Sequence, residues 1–351
     1  MPLNQVALVP YRAKKVQFRE IAIVAAALQR QVTRDFGPIW GADATVDAFA
    51  SLEDVPLGYW PIVICDTIGT SQLAGFHEDR MGQPYSLVKS AGFWSLAASH
   101  ECLEMLADPW GNRVISGWRP PEPKKLAGSG KGRKHEWSTR PELKSRRVEY
   151  LVEVCDACEG PPYGYLVNGV LVSDFYTPDY FNAQHLPGVR YDFQGHIKAP
   201  RTVLPGGYLS WHDPELRKWV QLQYFDREGA ALHAIIASPG SASNIRAWID
   251  SKTPRPQEEL TVDDGDGVDH GMVSVYEDGP WTLMLGDGPD HGMHGEAKPT
   301  NRAFWDAFRG VVYREVAEAQ ARDAKSMEEL IDQQLKNEPP AKRAKKRPKN
   351  K

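Results

Sequence analysis

The chain has few of the features that would send it out of a reducing compartment or through a bilayer. Its 351 residues include four cysteines, Cys65, Cys102, Cys155 and Cys158, too few and too irregularly spaced for a disulfide framework, which suits a cytoplasmic setting. Cys155 and Cys158 form a CxxC, yet no second pair completes a zinc ribbon and no βαβ pattern surrounds it. No stretch approaches the ~18 consecutive apolar residues of a membrane span. Arg12, Lys14 and Lys15 near the N-terminus are not followed by an apolar run, so no secretory leader is expected. Also missing are a Gly-rich phosphate loop, a GxSxG elbow and a GxGxxG after a strand, which removes the common nucleotide-binding and serine-hydrolase signatures.

What is present is an ordinary globular composition, 41% hydrophobic and 10% aromatic, enough for one large core or two modest ones. The net charge is only −4, but positive charge is concentrated in two places. Residues 119–147 carry Lys124, Lys125, Lys131, Arg133, Lys134, Arg140, Lys144, Arg146 and Arg147 among glycines and prolines, and read as a mobile basic loop. Residues 338–351 end in a run of lysine and arginine from Lys342 onward and read as a disordered tail, which also fits a nuclear localisation signal. Without aromatic or motif context, both are expected to be solubilising arms with weak, non-specific contact to polyanions.

The richest segment is Ser99-His100-Glu101-Cys102-Leu103-Glu104-Met105-Leu106-Ala107-Asp108-Pro109. On a helix, residues four apart lie about 40° from one another on the same face, so His100 and Glu104 can hold one cation, with Glu101 beside them. The spacing is that of the HExxH helix with its second histidine replaced by glutamate. Carboxylate oxygens still ligate zinc, but the added negative charge makes the site less Lewis-acidic and admits Ca²⁺ or Mn²⁺ besides Zn²⁺. The five-residue pattern is equally met by a helix that buries Cys102, Leu103, Met105 and Leu106 and leaves His100, Glu101 and Glu104 in water. Asp108, at i+8, lies roughly 12 Å along the axis from His100, too far to share the ion on a regular helix. It fits better as a supporting partner of the ligands or as the start of an Asp-Pro turn.

Upstream, the near-helical spacing of Ile21, Ile23, Val24, Ala27, Leu28 and Val32 predicts an amphipathic helix over 18–36. Strands are expected over 44–50 and 60–66, a turn-rich stretch over 75–82, an edge strand over 83–88 and the motif helix over 93–107. With that order and the two motifs Ser99 to Pro109 and Glu153-Val154-Cys155-Asp156-Ala157-Cys158, residues 6–208 resemble the zincin-like metalloproteases, and more closely a set of bacterial proteins carrying a SHExxExxxDP helix and an E-x-x-D-x-C strand. The resemblance implies a metal-dependent peptidase in which Glu101 acts as general base. It also implies that the edge strand binds an extended peptide substrate, giving that role to Gln83, Tyr85 and Leu87. It pairs the helix with a strand over 148–155, from which Asp156 or Glu153 would supply the third ligand; three-residue spacing would aim these two to opposite faces of a straight strand. His77 or His185 would serve otherwise. The alternative function is an inactive zincin-like binding module, of phage or plasmid type, with a structural metal.

The fold expected is thus α+β. Residues 1–160 form the zincin-like region, 161–299 a β-rich region, 300–337 a long C-terminal helix and 338–351 the tail. Within the β-rich part, Asn168-Gly169 between two apolar runs is a strong hairpin signal, and 219–225 reads as a strand. Two echoes, Gly265 to Met272 and Gly286 to Met293, place Asp and Gly in alternation and allow a second Ca²⁺ site or two turn-rich hairpin ends. Apolar residues from Phe304 to Ala317 at helical spacing predict a helix docked on the body.

Overall fold

The computed structural model describes residues 3–69, 73–123, 137–138, 147–226, 229–235, 244–253 and 302–337. The GDGxDHGM echoes, the C-terminal tail and most of the basic loop lie outside them. The architecture is mixed α+β, with one mixed and one antiparallel five-stranded sheet. In chain order the first sheet uses β1 (Asn4–Pro10), β2 (Ala44–Ala48), β3 (Trp60–Cys65), β4 (Gly75–Arg80) and β5 (Gln83–Lys89), arranged β2-β1-β3-β5-β4. All neighbours run parallel except β4, which pairs antiparallel with β5 as a hairpin.

Strand β1 went unread in the sequence, although it occupies an interior position in this sheet. Its signal is the unbroken run Val6-Ala7-Leu8-Val9, typical of a parallel strand covered on both faces. The alternation of a strand then sorts the layers. Val6, Leu8, Ile62, Ile64 and Val88 face helix α1 (Phe18–Arg30) and helix α3 (Trp94–Ala107). Ala7, Val9, Val63, Cys65, Tyr85 and Leu87 face Trp305, Phe308, Val312 and Val316 of the long helix α5 (Arg302–Asn337). The expected docked C-terminal helix is therefore the cover of the sheet's second face.

One expectation is corrected here. Strand β5 is interior, hydrogen-bonded to β3 on one side and β4 on the other, so it is not an edge. The segment read as turn-rich is the edge strand β4. Its charged Glu78, Asp79 and Arg80 disguise it, as charge on an edge guards against unwanted pairing. With its main chain paired on both sides, and Gln83, Tyr85 and Leu87 buried, β5 cannot receive a peptide through these residues in the way an edge would.

After α1 the helix continues as a π segment, Gln31–Phe36, followed by the short α2 (Gly37–Trp40). A π turn inserts a residue and re-aims side chains, here turning Gln31 and Asp35 into the interior. Gln31 Nε2 donates to the Ser173 carbonyl at 2.8 Å and Gln31 Oε1 accepts from Ser99 Oγ at 2.7 Å, while Tyr165 Oη donates to Asp35 at 2.9 Å. This network ties α1 to α3 one residue before His100.

The second sheet contains β6 (Val114–Trp118) and, beyond the two-residue pair β7 (Glu122–Pro123) and β8 (Trp137–Ser138), β9 (Arg147–Leu151). Between them and the rest lies the hairpin β10 (Tyr165–Val167) and β11 (Val170–Val172), whose turn residues Asn168 and Gly169 both have positive φ, 51° and 79°, as a type I′ turn requires. Strands β12 (Tyr208–Asp213), β13 (Lys218–Asp226) and β14 (Gly229–Ile235) complete the order β14-β13-β12-β9-β6. Because β6 and β9 belong with β12 to β14, the sheet crosses the boundary expected at residue 160. Residues before and after that point share one core cluster, in which Cys102, Leu103 and Met105 of α3 lie with Tyr176, Leu209 and Trp211. Between β14 and α5 the described residues also hold α4 (Ile245–Asp250).

Candidate metal centre

Helix α3 is buried almost all round. Leu96, Ala98, Ser99 and every residue from Glu101 to Ala107 are shielded from water, and the His100 side chain is only 12% exposed. The solvated polar face that the pattern allowed is therefore absent. Charges in such a place need partners or a cation, since burying an unpaired carboxylate is very unfavourable. The helix ends at Asp108-Pro109, because the residue before a proline is pushed out of the helical region; Asp108 has φ −141° and ψ 78°.

Glu153 and Asp156 join α3 from the segment after β9, but neither lies on a strand. The chain leaves the sheet after Leu151, and Asp156 opens a 3₁₀ turn, Asp156–Cys158. That turn removes the straight-strand objection, and both carboxylates reach the same cluster. His100 Nε2 lies 3.3 Å from Glu104 Oε1 and 3.2 Å from Asp156 Oδ1. Glu104 Oε1 also accepts the Cys155 backbone N–H at 3.1 Å. Glu153 sits on the other side, its Oε2 3.0 Å from Arg246 Nε.

His77, from β4, is the other imidazole. Its Nε2–H donates to the Asp108 carbonyl at 3.0 Å, and its Nδ1 accepts from Arg246 Nη1 at 2.7 Å. A carbonyl only accepts and a guanidinium only donates, so these two bonds fix the ring in one neutral tautomer. Asp108 thus orients His77 through its main chain. Its carboxylate Oδ2 accepts the Arg113 N–H at 2.7 Å and closes the Asp-Pro turn. Glu101 Oε2 lies 3.3 Å from His77 Nδ1 and 3.5 Å from Arg246 Nη1, and Gly75 of β4 leaves the room that the Glu101 side chain fills. No protein-family model, curated protein or solved structure matches the chain.

Several buried carboxylate oxygens here make no hydrogen bond: Glu104 Oε2, both oxygens of Glu153, both of Asp156, and Asp108 Oδ1. Ligand atoms on a tetrahedral ion with bonds of about 2.0 to 2.1 Å sit roughly 3.3 Å apart, which matches the spacing of His100 Nε2 from Glu104 and Asp156. The donor set of one imidazole with carboxylates suits zinc and harder divalent ions alike. Without an ion, a proton does the work: burial opposes charge on His100, but Glu104 and Asp156 outweigh it and hold its pKa well above the ordinary value. Burial pushes Glu104 up, yet His100 and Arg246 more than reverse this and keep it well below the usual range. Glu101 is likewise held below its usual value, burial being outweighed by charged neighbours, Arg246 first. Burial and the neighbouring Glu104 push Asp156 up to about 6, and burial raises Glu153 well above the usual range even beside Arg246.

Two other groups deserve comparison with the centre. The Cys155 sulfur lies within 4.8 Å of ligand atoms of His100 and Glu104, and with no ion bound, burial and then Glu104 hold its thiol well above its ordinary pKa. His185 lies apart, 3.2 Å from Tyr191 Oη. The residue that sequence reasoning missed is Arg246. A single arginine in a six-residue helix carries no motif, and only the fold brings it to α3.

Proposed function

We propose that the protein is a metal-dependent hydrolase acting on peptide bonds, as the resemblance to zincins implies. The observation that carries this is the approach of Glu104 and of Asp156 to His100 Nε2, at 3.3 and 3.2 Å, beside buried carboxylate oxygens that lack hydrogen bonds. His100, Glu104 and Asp156 would hold the ion, zinc being the first choice and calcium or manganese the alternatives. Asp156 is preferred over Glu153 because it faces His100, whereas Glu153 faces Arg246. A bound divalent ion would polarise a carbonyl and acidify water. Glu101, kept ionised chiefly by Arg246, is the group to accept a proton. An extended peptide would add to the outer side of β4, which pairs with β5 alone among the described residues and carries His77 toward the centre.

The binding-module reading draws on one observation: apart from His100, the side chains of the centre are almost completely closed to solvent. The two are separated by zinc content and turnover. His100→Ala and Glu104→Ala should each lose bound zinc by elemental analysis. Glu101→Gln should keep it, while cleavage of a diverse peptide library falls by a factor on the order of 10² to 10⁴. If neither the zinc-loaded wild type nor zinc-loaded Glu104→His cleaves any peptide, the peptidase reading fails and the binding module takes its place. Equal zinc in all these proteins would remove the metal assignment itself.

A further inference from the structure

Glu104 serves two cation positions, one with each oxygen. Oε1 belongs to the His100 and Asp156 side. Oε2 lies 3.1 Å from Arg246 Nη1 and 3.8 Å from His77 Nδ1. On that second side, His77, Glu104 and Glu153 offer ligand atoms within 4.8 Å of one another, and the Arg246 guanidinium touches all three, at 2.7, 3.1 and 3.0 Å. Each side therefore has the same composition: one imidazole nitrogen, one oxygen of Glu104 and one further carboxylate. The His77 ring is set for ligation, because its proton is committed to the Asp108 carbonyl and its lone pair points at the guanidinium. Glu104 Oε2 and Glu153 Oε2 are buried and held by the guanidinium at 3.1 and 3.0 Å, and Glu153 Oε1 is buried without a hydrogen bond.

Resting on the metal-centre reading above, we infer that Arg246 is a built-in cation filling the second position of a carboxylate-bridged pair. The protein takes one ion at His100, Glu104 and Asp156, and a second site at His77, Glu104 and Glu153 is closed by the guanidinium. Two-metal sites hold their ions about 3.5 to 4 Å apart, within the span of one bridging carboxylate. Arginine replaces the second ion with a charge that no change in pH or metal supply removes. Its carrier is fastened: Gly111 carbonyl oxygen accepts the N–H groups of Ile245 and Arg246 at 2.9 and 3.0 Å, and Asn244 caps α4 through the Ala247 N–H at 2.8 Å.

The test is the number of zinc ions held per chain, measured by elemental analysis after loading and desalting. The main variant is the pair Glu101→Gln with Arg246→Met, which keeps the net charge of the centre and all three donors of the second site. It should hold one zinc more than the wild type, and adding His77→Ala should remove that extra ion. Arg246→Lys, which keeps a cation in place, should match the wild type. An unchanged zinc count in the folded pair, an extra ion that survives His77→Ala, or a second ion in Arg246→Lys would each overturn the inference. A wild type that loses no zinc on His100→Ala overturns the metal-centre reading instead, so the two failures are distinguishable.

Discussion

Gly75→Ala tests whether β4 sets the position of Glu101. A Cβ at Gly75 would lie 3.0 Å from Glu101 Cγ, 3.0 Å from its Oε1 and 3.2 Å from Val88 Cγ2, where ordinary contacts begin at 3.4 Å. The backbone there is extended, so alanine itself is allowed and the contact is what resists. Glu101 must move by about 0.4 Å in a packed interior, and overpacking of this kind costs about 1 to 3 kcal/mol. Replacing a strand glycine with alanine returns about 0.5 to 1 kcal/mol. The clash is the larger effect, and a net loss of up to about 2.5 kcal/mol is expected. In a Glu101→Ala background both Glu101 atoms are gone, and the same substitution should be neutral or mildly stabilising. Urea unfolding of the four proteins in chelator, followed by far-UV circular dichroism, should give a coupling of about 1 to 3 kcal/mol. Independent sites add to within about 0.5 kcal/mol. A coupling below that value would show that Gly75 does not confine Glu101.

Gly207→Ala acts on the other wall. Its Cβ would meet the Asp156 carbonyl oxygen at 2.6 Å and that of Ala157 at 2.9 Å. Main-chain atoms cannot rotate away, so a loss of at least about 2 kcal/mol and weaker zinc retention are expected in melting and dialysis measurements. Unchanged values would show that the turn bearing Asp156 gives easily. A separate pair, Asp174 and Asp192 beside His196, makes a pH prediction. Burial and then Asp192 push Asp174 up to about 9. Since this lies above the unfolded value near 3.9, its contribution is complete below about pH 4 and is lost as pH rises toward 9. Asp174→Asn, an amide in place of a protonated carboxyl, should gain stability relative to wild type by up to about 1.4 kcal/mol per pH unit across that window. Asp192→Asn should destabilise at every pH, because both Asp192 oxygens accept backbone N–H groups, from Ile197 at 3.0 Å and His196 at 2.8 Å. Parallel melting curves for wild type and Asp174→Asn from pH 5 to 8.5 would contradict the assignment.

What the sequence made legible follows from how local each signal is. The helix bearing His100 and Glu104, the Asn168-Gly169 hairpin and the strand at Trp60 announce themselves within a few residues, through spacing or turn chemistry, and each stands where expected. Asp156 and Glu153 were legible as candidates, but not the turn that lets both face α3, because a turn after Leu151 leaves no mark in apolar alternation. The edge was misplaced by one strand: β5 is apolar and β4 is charged, and a rule that equates strands with apolar runs finds the wrong member of the hairpin. Arg246 was beyond reach, since its role depends on a hydrogen bond to Gly111, far away in sequence, and on no pattern of its own.

The cover supplied by α5 has a consequence in time. All five strands of the first sheet lie within residues 4–89, whereas the helix that shields Ala7, Val9, Val63, Tyr85 and Leu87 begins at Arg302. Synthesis at roughly 5 to 20 residues per second puts about 10 to 40 seconds between the last strand and the first turn of that helix. During that interval a growing chain carries an assembled or assembling sheet with one oily side bare, a surface of the kind that sticks to neighbours. Covering of this face must therefore wait for α5 to be made, and a chain arrested before Trp305 would need a chaperone in place of that helix.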